Sequence, residues 1–125
     1  MSVTLEIHVT SRYELVPGEL PVVRVLRLVD AAEDFLEELN LGNTDYCHGH
    51  IPDSCWIADQ DPEASSAKKT QNAYGLPLIW TTAGEIARMP AIEEEIVYPL
   101  DRATMAFLRQ LGADNPGLLL ILEMS

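Results

Sequence analysis

Pro21-Val22-Val23-Arg24-Val25-Leu26-Arg27-Leu28-Val29-Asp30-Ala31-Ala32-Glu33-Asp34-Phe35-Leu36-Glu37-Glu38-Leu39-Asn40 is the stretch on which the fold reading turns. At helical spacing Val25, Leu28, Val29, Ala32, Phe35, Leu36 and Leu39 share one face. Arg24, Arg27, Asp30, Asp34, Glu37 and Glu38 occupy the other. Pro21 suits a first helical turn, where its missing N–H has no intrahelical partner to lose. Gly42 can close the helix in a left-handed conformation. A rival reading makes Val22–Val29 a strand and begins the helix at Asp30, where Asp30 and Glu33 have capping-box spacing. The long helix, Pro21–Asn40, is preferred because it sets Arg24 and Arg27 together on the wet side. As strand residues they would point to opposite faces.

Such a helix needs a sheet to lie on, and the flanking segments supply one. Val3, Leu5, Ile7 and Val9 alternate with Thr4, Glu6, His8 and Thr10, the period of a half-buried strand. His8 then falls on the exposed side as a surface residue. Arg12–Val16 continues the strand or returns beside it, and Pro17-Gly18 marks a turn. Leu118–Leu122 is an apolar run bounded by Gly117 and Glu123, so it reads as a strand buried on both faces, central and beside the first. Leu76–Trp80 is a short strand whose Pro77 places it at a sheet edge. Thr82 and Glu85 have capping-box spacing for a helix running to about Met89, stopped by Pro90. Ala91–Tyr98 is ambiguous, with Ile92, Ile96 and Val97 fitting a helical turn. Asp101 is read as the N-cap of a further helix that buries Met105, Leu108 and Leu111 and closes at Gly112. The expectation is a single α+β domain over residues 1–125: a small mixed or antiparallel sheet, the long amphipathic helix across one face, and two or three shorter helices.

Charge is the distinctive property of the composition. Twenty Asp and Glu against eight Lys and Arg give a formal net charge of -12. That surface repels phosphate, which disfavours direct binding to nucleic acid or an anionic membrane and favours a basic protein partner. No apolar run approaches the ~20 residues that span a bilayer. Residues 1–10 do not run basic then apolar as a secretory signal does. Two cysteines do not make a disulfide framework. A cytoplasmic protein with reduced thiols is expected, its oligomeric state open to a dimer.

Between Gly42 and Asn72 the periodicity fades into Gly, Asn, Asp, Pro and Ser, with only Cys55–Ala58 reading as buried. A loop this long in a small domain is often functional, and Asp61–Thr70 reads as its exposed tip. It holds Cys47, His48, His50 and Cys55, a ligand set suited to tetrahedral zinc. Their bunching within nine positions lacks the two separate knuckles of structural zinc sites, so no metal and no cofactor is assigned. Either cysteine beside a histidine also admits a thiol nucleophile, without a recognised signature. The bland alternative is a buried Cys55 beside Trp56 and solvated histidines. Asp53, Asp59, Asp61 and Glu63 form a line of carboxylates that lacks the spacing and glycine of a calcium loop. Walker A, dinucleotide-binding, nucleophile-elbow and H-E-x-x-H patterns are absent, and no catalytic residue is assigned. The candidate contact residues are instead Glu33, Asp34, Glu37, Glu38, Glu93, Glu94 and Glu95. Together they could form an extended negative face that occupies a groove built for phosphates. The bland alternative is the ordinary solvated side of helices.

Several segments resemble a group of small uncharacterised proteins encoded by phages and prophages. They are the strand Leu5-Glu6-Ile7-His8-Val9, the loop His50-Ile51-Pro52-Asp53, and Gly75, Trp80, Thr82 and Glu85 at the spacing of a Gly-His-Ser-His-Ser-Trp-x-Thr-x-x-Glu segment. Leu76 and Leu78 stand where that group has histidines, so any site those histidines make is missing here. The resemblance implies a setting on phage or mobile DNA. The expected function is that of a small acidic, non-enzymatic protein-binding protein. It would inhibit a basic host protein or a nucleic-acid-handling defence complex, in one form as a nucleic-acid mimic. A zinc or thiol protein built on the Cys/His loop and a toxin-neutralising immunity protein are the rivals.

Overall fold

The computed structural model describes residues 3–40, 49–60, 63 and 67–125. In chain order the elements are β1 (Leu5–Thr10), β2 (Gly18–Glu19), β3 (Val22–Leu28), α1 (Ala32–Asn40), β4 (Cys55–Ala58), β5 (Lys68–Lys69), β6 (Ile79–Thr82), α2 (Ala83–Arg88), a 3-10 turn at Glu93–Glu95, α3 (Pro99–Asp114) and β7 (Leu119–Met124). The fold is α+β. Its main sheet has the order β3-β1-β7-β6 and is antiparallel throughout. As the apolar run of Leu118–Leu122 implies, β7 lies centrally beside β1, and Leu119 to Glu123 are all buried. β6 forms one edge, with Pro77 just outside it.

The preferred long helix over Pro21–Asn40 is not what forms. Val22–Leu28 is an edge strand paired with β1, and only Ala32–Asn40 is helical. Three valines in seven residues favour the strand, because a β-branched side chain loses rotamer freedom in a helix and packs well on a pleated surface. The objection from the arginines dissolves at an edge, where both faces reach water near the rim. Arg24 extends over the Phe107 ring, 4.9 Å from its centroid, and Arg27 reaches Glu6 on the opposite face at 3.4 Å. A register shift between Val9 and Thr10 bulges the strand at Val23. The bulge, the two arginines and a hydrogen bond from Thr104 Oγ1 to the Arg27 carbonyl blunt the edge against further pairing.

The break between β3 and α1 is held from a distance. Asp101 is fully buried, and its carboxylate accepts from the N–H groups of Val29, Asp30 and Ala31 at 3.0, 2.8 and 2.7 Å. These donors precede the first turn of α1, whose opening bond runs from Phe35 N–H to the Ala31 carbonyl. Asp101 is therefore not the N-cap of its own helix. Tyr98 holds that position, with proline in the first turn. Nor does Gly112 close that helix: α3 continues to Asp114, and Gly112 lies where α3 meets Ala83 and Ala87 of α2. Thr82 does cap α2, accepting from the Glu85 N–H, and the helix ends before Pro90 as its sequence implies. Arg109 joins the layers by donating to the carbonyls of Ile86, Met89 and Pro90 and to Glu93.

The helices cover one face of the main sheet. Leu5, Ile7 and Val9 from β1, Leu28 from β3, and Leu120 and Leu122 from β7 meet Phe35, Leu39, Ile86, Met105 and Leu108. The other face is covered too. Part of the segment read as a structureless loop forms a small second sheet, order β2-β4-β5, with β2 parallel to β4 and β5 antiparallel to it. Leu20, Ile51, Cys55, Ile57, Leu78 and Ile121 fill the space between the sheets. Lys68 and Lys69, assigned to an exposed tip, are strand residues of this layer.

Candidate functional site

The second sheet changes the meaning of the polar face of β1. His8, expected at the surface, is 5% exposed, because β1 is covered on both sides. Antiparallel pairing sets Glu6 opposite Glu123, so Glu6, His8 and Glu123 share one face. His8 Nε2 lies 2.9 Å from Glu123 Oε1 and 3.8 Å from Glu6 Oε2. Lys69 reaches across from β5, its Nζ 2.8 Å from Glu123 Oε2. Burial pushes the Glu123 carboxyl upward, but the hydrogen bonds and charges of His8 and Lys69 outweigh it and hold the group below its ordinary value. Burial likewise pulls Lys69 down. The hydrogen bond to Glu123, with the charges of Glu123, Asp59 and Glu6, raises it overall.

The ligating atoms of Glu6, His8 and Glu123 lie within 4.8 Å of one another, the spacing of a metal cradle. Their charges argue otherwise. Lys69 on Glu123 and Arg27 on Glu6 already balance the two carboxylates, and a divalent ion would add two further positive charges beside those cations. The arrangement is an ion-pair network, in which an ionised carboxylate only accepts and His8 Nε2 donates to Glu123.

The cysteine–histidine loop does not come together as a described site. Cys47 and His48 lie outside the described residues, as does Asp61 of the carboxylate line. Cys55 is buried, and its thiol donates to the Val16 carbonyl at 3.4 Å, which is the bland reading of that residue. His50 is exposed, bridging by its backbone to Ile79. Trp56 and Trp80 are both half-buried, with the Lys68 ammonium 4.0 Å from the Trp56 ring centroid.

Glu33, Asp34 and Glu37 of α1 are exposed, with Glu38 half-exposed, and Glu94 and Glu95 are exposed on the 3-10 turn. Glu93 is occupied in a 2.9 Å ion pair with Arg109. Arg27 pairs with Glu6, Lys69 with Glu123 and Arg88 with Glu85, none of these acids lying on α1. Sequence reasoning missed the hollow beside these acids. Val29, Asp30, Val97, Tyr98 and Pro99 line an open depression at the start of α1. Val97 is 83% exposed, and Leu100 and Phe107 extend the apolar surface along α3. The Ile96-Val97-Tyr98-Pro99-Leu100 run carried the signal, since its apolar residues exceed what one helical face buries. Among the described residues no helix is long and apolar enough to cross a membrane. In comparison with known proteins, no family model matches the chain, and no curated protein or solved structure does either.

Proposed function

We propose that this protein is a non-enzymatic, cytoplasmic binding protein that engages a basic protein partner through the hollow at the start of α1. The observation that carries the reading is Val97, exposed beside Val29, Tyr98 and Pro99 with carboxylates on both flanks. Asp30, Glu33 and Asp34 follow Val29 along the chain, and Glu94 and Glu95 precede Val97. An apolar centre with a charged rim is the usual anatomy of a protein-binding patch. The apolar part supplies affinity by shedding water, while the rim selects a basic partner and speeds its approach. With a formal net charge of -12 behind it, the rim suits the basic groove of a nucleic-acid-handling protein. The resemblance to phage-encoded proteins supports a host complex as the target and inhibition as the result. A toxin neutralised through the same surface would differ only in the partner's identity.

The test is capture from a bacterial lysate with three baits: the native chain, Glu33→Lys/Glu37→Lys, and Val97→Asp. Both variants should lose a partner of high isoelectric point that the native chain retains. The charge variant should lose it chiefly through a slower association rate at low salt. A partner retained equally by all three baits contradicts the proposal.

A further inference from the structure

We infer that the open edge of β3 is a docking groove for an extended peptide, which pairs antiparallel at Val25 and carries an apolar residue and a carboxylate two positions apart. The groove runs between β3 and α3, has a volume of about 480 Å³, and shares no lining residue with the hollow at Val97. Residues 24–27 form its strand wall, and Leu100, Ala103, Thr104 and Phe107 form its helix wall. Leu100 is 65% exposed and Phe107 37%, so both keep apolar surface in water.

The register of the main sheet decides which backbone groups of β3 are left open. Thr4 and Ser125 exchange both backbone hydrogen bonds, so Thr4, Glu6 and His8 turn theirs toward β7. Leu5, Ile7 and Val9 then turn theirs toward Leu28, Leu26 and Arg24. Val25 and Arg27 are consequently directed away from the sheet, and the Thr104 hydroxyl, donating to the Arg27 carbonyl from α3, fits that direction. This bond and the bulge at Val23 shorten the edge without closing it. Among the described residues the Val25 N–H, the Val25 carbonyl and the Arg27 N–H keep no protein partner. An extended chain brings a carbonyl and an N–H to Val25 at matching spacing, whereas a helix has already used its own.

The pleat sets what the visiting strand carries. Its residue opposite Val25 lies on the side of the second sheet, and the two neighbours lie on the helix side, over Leu26 and Arg24. The neighbour over Leu26 enters the apolar part of the groove, where exposed Ala103 leaves room for a side chain between Leu100 and Phe107. The neighbour over Arg24 meets a guanidinium held 4.9 Å from the Phe107 ring centroid. Among the described residues Arg24 joins no ion pair, and no acid lines the groove. In a chain of twenty acids and eight bases, that local sign selects a carboxylate. A second copy of this chain would set Arg24 and Arg27 against the same two arginines, so charge disfavours self-pairing.

The probe is the acetylated and amidated peptide Thr-Thr-Leu-Thr-Glu-Thr, whose leucine falls over Leu26 and whose glutamate falls over Arg24. Titrated to millimolar concentration into the labelled full-length chain, it should give saturable NMR shifts at the Val25, Arg27 and Phe107 amides. Exchanging its glutamate for lysine should weaken binding at least about tenfold. N-methylation of the threonine between leucine and glutamate removes the donor to the Val25 carbonyl and should do the same. Arg24→Glu should reverse the preference between the glutamate and lysine peptides. Ala103→Trp fills the groove from an exposed helix position and should abolish the shifts while native amide dispersion persists. Val97→Asp should leave the affinity unchanged, which separates this groove from the hollow. The proposal is overturned if the glutamate peptide leaves those amides unmoved, if the lysine or N-methylated peptide binds equally well, or if Val97→Asp abolishes binding. A concentration-dependent dimer that shields the Val25 and Arg27 amides would overturn it too.

Discussion

Replacing Asp101 is the most direct probe of how β3 is separated from α1. Its carboxylate serves three N–H groups that do not share one environment. Val29 and Asp30 are exposed, so water can replace the carboxylate on their N–H groups, whereas Ala31 is 3% exposed and its N–H would stay dry. A hydrogen bond to a charged group contributes roughly 1.5–3 kcal/mol net. Losing the Ala31 bond without replacement should cost about 2–3 kcal/mol, and the two hydrated ones together about 1 kcal/mol. Asp101 also sits in the first turn of α3, where a negative charge contributes roughly 0.3–1 kcal/mol. Asp101→Ala should therefore destabilise by about 3–5 kcal/mol, a large share of the 5–15 kcal/mol typical of a domain. Asp101→Asn can turn its oxygen toward Asp30 and Ala31 and present its amide to exposed Val29, so it should cost roughly 1–2 kcal/mol. Urea unfolding reads both as shifts in midpoint at constant slope. Hydrogen exchange at Ala31 should accelerate in the alanine variant. An Asp101→Ala protein within about 0.5 kcal/mol of native would refute the reasoning, because surface changes without a structural role fall in that range.

Gly112→Ala would place a Cβ 2.1 Å from the Ala83 carbonyl oxygen and 2.6 Å from Ala87 Cβ. The ~1 kcal/mol of helix propensity gained should be exceeded by the strain of moving α2. Net destabilisation of about 1–3 kcal/mol should appear in denaturant unfolding. Thr82→Ala should cost about 1 kcal/mol by removing the cap on α2 and should speed exchange of the Glu85 amide. The Glu123 carboxyl is held below its ordinary value in the folded chain by His8 and Lys69, so the unfolded chain takes up its proton first as pH falls. Its contribution is complete above that value and disappears as pH drops through the folded pKa. The stability gap between the native chain and Glu123→Gln should narrow from pH 7 toward pH 3, and parallel profiles would count against the network.

The elements legible in the sequence are those whose cause is local. Alternation in Leu5–Val9, the unbroken apolar run of Leu118–Leu122, and Thr82 with Glu85 and Pro90 each specify an element within a few residues. Pro21–Asn40 misled because Val22, Val25 and Leu28 recur every three residues, which a helix also satisfies, and the bulge at Val23 interrupts the alternation that marks a strand. The second sheet was hidden for a different reason. Its end strands have two residues each, and β2 finds its partner in β4 far along the chain. Missing that layer put His8 in water. With β1 beside β7 the Glu6, His8 and Glu123 cluster follows from register, but its burial comes only from the cover. Asp101 was misassigned by the same kind of distance, since its donors lie at Val29–Ala31.

The claim that acidic charge and exposed apolar surface converge at one place can be measured without knowing the natural partner. The labelled protein is titrated with a short peptide of lysine and leucine, and amide shifts are mapped onto the chain. Focused, saturable shifts at Val29, Val97 and Tyr98, fading through Glu33, Asp34, Glu94 and Glu95, are the predicted result. Shifts spread evenly over exposed carboxylates elsewhere, such as Glu14, Glu19, Asp53 and Asp114, would contradict it.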